Sequence, residues 1–355
     1  MISAYVFGLL TFATATFAHG DHLLSREQFH TRSILAEERH LKARNCLSEI
    51  ADFTHRRKVK RTTLRRRQLD LNESCTPTFT TASHTISVPP PRTSAIPNLD
   101  NYTCVAAPDV VEGPYYINNE MVRYNLTEGQ AGVELILDIG VINIATCQPF
   151  PDLFVELWSA NATGVYAGFS RTSTPGSTTT ISAPATTTTS RPPMLRNETF
   201  LRGGLPTDEN GVVELVTLYP GFYAGRASHI HAMFHHNWAM SPNGTLISQV
   251  GTNVHTGQVF FEEVWNDEIY ATELYKNNDN VRVCNHEDRI LNRLSNADRD
   301  NVFVDLEKLG NSLDDGLYGY ITIAIDPKNT VRINGTHYLN STGYEPTPAP
   351  SLHRL

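Results

Sequence analysis

The sequence predicts an all-β sandwich with an N-terminal helical segment and long loops. Three observations predict it. Val133, Leu135, Leu137, Ile139 and Val141 alternate with Glu134, Ile136, Asp138 and Gly140, the period of a strand with one face on a core. Phe154–Trp158, Gly211–Leu218 and Gly319–Ile325 read as further short strands, with Gly and Pro between them, the spacing of a sandwich. Segments rich in Ser, Thr and Pro lie outside these runs and supply no core.

The chain has 355 residues, of which 40% are hydrophobic. That is enough to bury a core and excludes disorder along the whole length. No run of eighteen apolar residues occurs after residue 18, which excludes an ordinary transmembrane span. The net charge of −8 argues against general nucleic-acid binding. The charge is uneven. Residues 1–68 hold 13 Lys/Arg against 6 Asp/Glu, and the remainder holds 16 against 31. A basic arm precedes an acidic domain.

Residues 2–18 are apolar or small and read as a signal peptide cleaved after Ala18, although no Lys or Arg precedes the apolar stretch. Sequons at Asn72, Asn101, Asn125, Asn161, Asn197, Asn243, Asn334 and Asn340 fit a secreted, glycosylated surface. Residues 19–68 form a helical, basic N-terminal region. The helix is expected over 25–54, with Ser25 and Gln28 as a capping box and Leu24, Phe29, Ile34, Leu35, Leu41, Leu47 and Ile50 at helical spacing. The run His55–Arg61 reads as a solvated linker, or as a processing site that removes 19–61. A Ser/Thr/Pro-rich linker over 69–100, a sandwich domain over 101–330 and a tail over 331–355 follow. Residues 170–193 interrupt the domain with an exposed Thr/Ser-rich loop suited to O-glycosylation. Cys46, Cys75, Cys104, Cys147 and Cys284 contain no CxxC pair, which leaves a zinc cluster unsupported. In an oxidising compartment they predict two disulfides, of undetermined pairing, and one thiol.

The most informative segment is Tyr219–His231. On a strand His229 and His231 project to one face and can share a metal. Tyr223 lies behind the Pro220-Gly221 turn and Arg226 stands between it and the histidines. His235-His236, being adjacent, face opposite ways and read as surface. Trp158–Tyr166 runs a strand into a tyrosine at a turn, and Glu112-Gly-Pro-Tyr-Tyr116 supplies two further tyrosines.

Together with Phe200–Gly203 and Thr207-Asp208-x-x-Gly211, these segments resemble the intradiol aromatic-ring dioxygenases over residues 100–330, with the secreted fungal branch as the nearest match. The resemblance implies a mononuclear non-haem Fe(III) held by Tyr166, Tyr223, His229 and His231. It implies Arg226 and Gln258 beside the substrate, Tyr166 as the group that leaves the iron, with that tyrosinate or the displaced hydroxide taking a substrate proton, and Tyr115 or Tyr116 lining the pocket. Two phenolates suit a hard trivalent ion, which lowers the pKa of each tyrosine from about 10. The implied reaction cleaves a catechol-type ring with O2 to a muconate-type diacid, and the implied partners are a small phenolic substrate and O2. Relatives can dimerise through an N-terminal helical region, here residues 25–54. Two alternatives stand beside this reading. The 170–193 interruption after Tyr166 fits a non-catalytic secreted protein that binds phenols or surfaces. Cleavage after Ala18 would expose His19, whose amine and ring can chelate copper.

Overall fold

The structure, a computed structural model, describes residues 38–39, 41–73, 110, 112–170, 191–196, 198–294, 299, 301–340 and 343–346. The signal segment, His19, residues 74–100, most of the Thr/Ser-rich loop, Cys75 and Cys104 lie outside the described residues. Among those described, no helix is long and apolar enough to cross a membrane.

Two sheets make the body. In the first, β1 (Glu134–Asn143) runs parallel to β9 (Leu317–Ile325) and antiparallel to β5 (Val212–Leu218) and the short β2 (Gln148–Pro149). β8 (Asp305–Lys308) pairs with the far side of β9. The second sheet has the order β4 (Arg202–Pro206), β3 (Phe154–Trp158), β6 (His229–His236), β7 (Thr252–Phe260). β10 (His337–Asn340) and β11 (Gly343–Pro346) form a separate hairpin. Leu135, Leu137, Ile139 and Val141 of β1 meet Val155 and Leu157 of β3 and Ile230, Ala232 and Phe234 of β6 in one buried cluster. The alternation in the sequence therefore points into a two-sheet core, as predicted.

The outward positions of β1 are also buried, and α1 (Leu47–Glu73) is the reason. Cys46, in the turn just before it, and Ile50, Phe53 and Arg57 on its inner side recur every three or four residues. The first three pack with Ile142, Ile144 and Ala324. Arg57 donates from Nε to Asp138 Oδ1 at 2.9 Å, from Nη2 to the Asp138 carbonyl at 2.8 Å, and from Nη1 to Thr322 Oγ1 at 2.9 Å. Gly140 leaves room for this: a Cβ there would lie 2.1 Å from Arg57 Nη1. Of the helix read over 25–54, residues 25–37, with Ser25 and Gln28, lie outside the described residues; a turn at Asn45 and Cys46 precedes α1, which starts at Leu47 and runs on to Glu73. The run His55–Arg61 is helical, with Arg57 buried, rather than a free linker. Within the described part of the segment expected to mediate a dimer, the apolar residues Ala43, Cys46, Ile50 and Phe53 pack on the chain's own sheet. A disulfide joins Cys46 to Cys147, so a cut after Arg61 leaves the segment carrying Cys46 covalently attached. Cys284 is free among the described cysteines.

Candidate metal centre

The site is built on the outer face of the second sheet. Residues of β6 alternate: Ile230, Ala232 and Phe234 enter the core, so His229, His231, Met233 and His235 project the other way. Register then sets a row across the sheet. Trp158 and Gln258 stand opposite His231, and Arg202 stands opposite Trp158. The Trp158 ring lies flat on His231, with centroids 4.7 Å apart and planes 7° apart, which fixes the imidazole's tilt.

Two turns bring in the tyrosines. Asn161 closes the first: its Oδ1 accepts from the N–H groups of Thr163 and Val165, each at 3.1 Å, an Asx turn. Gly164 has φ +77°, and a Cβ there would sit 2.2 Å from the Phe222 carbonyl oxygen, so only glycine fits. The turn delivers Tyr166. The Phe222 carbonyl also accepts from Asn278 Nδ2 at 2.7 Å, which anchors the second turn immediately before Tyr223. The Tyr166 and Tyr223 ring centroids are 5.4 Å apart. Tyr223 lies 5.6 Å from His229 and Tyr166 lies 6.1 Å from His231. All four residues the sequence nominated as ligands are within 3% of full burial.

The histidines face each other. His229 Nε2 and His231 Nε2 are 3.1 Å apart. His229 Nδ1 lies 2.7 Å from the Ala227 carbonyl and donates to it, so its Nε2 carries a lone pair aimed inward. The Tyr166 hydroxyl is buried with no hydrogen-bond partner. Burial pushes the Tyr166 phenol well above its ordinary range and the Tyr223 phenol up to about 12, so both are neutral at pH 7 unless a cation offsets them. An orphaned phenol oxygen, a second phenol and two converging imidazole nitrogens are a donor set that fits Fe(III).

Arg226 and Gln258, nominated as substrate neighbours, touch each other: Arg226 Nη2 donates to Gln258 Oε1 at 2.6 Å. The Gln258 amide nitrogen lies 3.5 Å from His231 Nδ1. Arg226 also hydrogen-bonds Tyr223 and favours its ionised form. Of the two candidate pocket tyrosines, Tyr115 stacks on Tyr166 at 4.6 Å and meets Tyr223 edge-on at 5.9 Å. Tyr116 turns away, packs on Trp158 and donates to Glu156 Oε2 at 3.0 Å.

Sequence reasoning missed two features. Asp288 binds Arg226 Nε at 2.7 Å and is fully buried. It lies 62 residues from Arg226, outside every strand, and no local pattern marks it. His235 is not at the surface: it is fully buried, 2.8 Å from Glu156 Oε2. Its period-two offset from His231 was the available signal. It places His235 on the site face, two rows below the candidate ligands. His236 alone of the pair is partly exposed.

The fold is consistent with the β-sandwich of the intradiol dioxygenases. The chain is similar to an intradiol ring-cleavage dioxygenase from Tetranychus urticae, 29% identical, over 64% of this chain and 98% of that one at a TM-score of 0.51. A second crystal structure of a dioxygenase matches at 28% identity, again over 64% and 98%, with a TM-score of 0.50. The dioxygenase domain of a dioxygenase carbohydrate-binding fusion from Streptomyces sp. SirexAA-E, at 20% identity and a TM-score of 0.37 over 62% of this chain and 98% of that one, is too distant to add weight. No family model and no curated protein matches the chain.

Proposed function

We propose that the protein is a secreted, mononuclear non-haem Fe(III) intradiol dioxygenase that cleaves catechol-type rings with O2 to muconate-type diacids, akin to the secreted fungal branch of that family. The supporting observation is the approach of two imidazole Nε2 atoms to 3.1 Å beside the partnerless Tyr166 hydroxyl. Tyr166, Tyr223, His229 and His231 would hold the iron. Bound there, Fe(III) would supply Lewis acidity that draws electron density from a catechol ring and opens it to O2.

The chain's own groups do the rest. Tyr166, as tyrosinate, would accept a proton at Oη when the substrate's hydroxyls ionise. No other protein group hydrogen-bonds that oxygen, so its lone pairs are open to that proton. Arg226 stays charged despite burial, because Tyr223 and Asp288 outweigh its desolvation. It stands ready to stabilise negative charge on the substrate. Trp158 keeps His231 in plane, and Tyr115 fills the space over Tyr166, which excludes water from the ring. Both atoms of O2 enter the product, so no reductant is required. Export is supported by the apolar stretch 2–18 and by the eight sequons.

One observation favours the alternative, a phenol-binding protein without turnover. The site is sealed: Tyr166, Tyr223, Arg226, His229, His231 and Gln258 are each no more than 4% exposed. An oxygen electrode separates the two. Purified protein with catechol should consume one O2 per ring cleaved, with the diacid identified by mass, and Tyr223→Phe should abolish uptake. Catechol binding without O2 uptake would establish the alternative.

A further inference from the structure

We propose that Asp288 is the positioning residue for Arg226, setting the plane and reach of its guanidinium beside the catechol. The inference rests on reading the site as an Fe(III) catechol centre. Asp288 belongs to the irregular stretch between β7 and β8, yet it closes onto the turn that precedes β6. Its Oδ2 accepts from Arg226 Nε at 2.7 Å and from the Ala227 N–H at 2.9 Å. Its Oδ1 accepts from the Ile290 N–H at 2.8 Å, the Leu291 N–H at 3.2 Å and Arg226 Nη2 at 3.3 Å. Both oxygens are saturated by N–H donors, the arrangement of an ionised carboxylate.

The geometry of the grip matters. Two oxygens of one carboxylate engage the Nε and Nη2 edge of the guanidinium, which fixes its plane and not merely its position. Gln258 takes the same Nη2 from a second direction. One edge is thus fully engaged, and the guanidinium is left a single orientation, with its bond to Tyr223. The Ile290 and Leu291 amides in turn hold the carboxylate against a short turn, Leu291–Arg293, whose Leu291 is buried with Phe260 and Ala227. Rotation of Arg226 toward solvent would leave the Asp288 carboxylate buried without its cation and Gln258 Oε1 without its donor. Asp288 therefore acts through Arg226, and lysine could not replace that arginine.

The test is a double-mutant cycle on the iron-loaded full chain. Asp288→Asn keeps the side chain's shape and one acceptor while removing the charge. Each of wild type, Asp288→Asn, Arg226→Gln and the double variant is measured for iron per chain, dissociation constant for 4-nitrocatechol, and kcat and KM for catechol. Asp288→Asn is expected to keep wild-type iron content and to lose about 10–100-fold in kcat/KM, the range for groups that orient a site's own residues. It is also expected to weaken 4-nitrocatechol binding, and to cost less than about twofold further in the Arg226→Gln background. Losses that multiply in the double variant, or an Asp288→Asn protein within about twofold of wild type, would overturn the proposal. If Asp288→Asn does not fold by circular dichroism, Asp288→Glu, which keeps the charge at a longer reach, carries the same cycle. A wild-type protein that holds neither iron nor 4-nitrocatechol would instead sink the parent reading, and the positioning role with it.

Discussion

His229 and His231 aim their Nε2 atoms at one another across 3.1 Å, while His229 Nδ1 is turned back onto the Ala227 carbonyl. Two neutral imidazoles gain little from such an approach unless one donates to the other or a cation lies between their lone pairs. With two buried phenols alongside, the second arrangement calls for an ion that ionises tyrosine.

Iron uptake is therefore expected to depend steeply on pH. Burial raises the Tyr166 phenol and takes Tyr223 up to about 12, so each phenol that binds must first give up a proton at neutral pH. Apparent affinity should fall as pH falls, by as much as about tenfold per unit for each proton released. Calorimetry of iron or gallium(III) uptake in buffers of different ionisation heat counts the protons. A count of zero would mean that the tyrosines do not bind as phenolates.

The Asn161 turn offers a second test. Asn161 Oδ1 caps Thr163 and Val165, and its Nδ2 donates to Gln130 Oε1 at 3.2 Å. Asn161→Ala should lose about 1–3 kcal/mol in urea unfolding and should lower iron content by loosening Tyr166. A glycan on Asn161 would leave Nδ2 a single N–H for the Gln130 bond and crowd the turn, so peptide mapping of secreted protein should find this sequon bare. Full stability and full iron in the alanine variant would show that the turn holds Tyr166 without Asn161.

Asp288 gives the acid limb of stability. Burial pushes its carboxyl up, but the Arg226 charge and the hydrogen bonds from Arg226, Ala227 and Leu291 outweigh burial and hold it below its usual range. A carboxylate depressed in the folded state contributes stability that is complete above its unfolded value of about 3.9. That stability is lost as pH falls through the lower folded value. Wild type should lose stability below about pH 4 relative to Asp288→Asn, and the gap between them should close there. Parallel acid limbs in the two proteins would contradict this.

Arg57 is the corresponding test of the helix. It is 8% exposed and bound to Asp138 and Thr322. Arg57→Met leaves Asp138 buried without its cation and should cost about 3–5 kcal/mol by urea unfolding. A loss under about 1 kcal/mol would mean that water replaces the guanidinium and that α1 is only loosely seated.

The legible parts of the molecule were those with a local signature. The β1 alternation, the His229/His231 pair and the two tyrosine turns each span a few residues. Their geometry follows from strand period and turn chemistry. The helix boundary was less legible. The inner stripe of α1 continues past residue 54 through a charged residue, Arg57, where a solvated linker was read, and the partner that makes it tolerable, Asp138, lies 81 positions away. Glu156 was illegible for the same reason, and His235 was legible only through its period-two offset from His231. A glutamate and a histidine on separate strands look outward until register sets their rows on the same covered face. Asp288 shows the limit of local reading: its role is defined by an irregular segment folding back onto β6.

Tyr166, Tyr223, His229 and His231 are proposed to hold Fe(III) for catechol cleavage. The visible spectrum of the aerobic protein, before and after catechol, tests that assignment most directly. The account predicts a red-brown tyrosinate charge-transfer band that moves to longer wavelength with catechol and then fades as a diacid grows in the ultraviolet. The Tyr223→Phe protein should lack most of the band. A wild-type protein that stays colourless after iron is added would contradict the site itself.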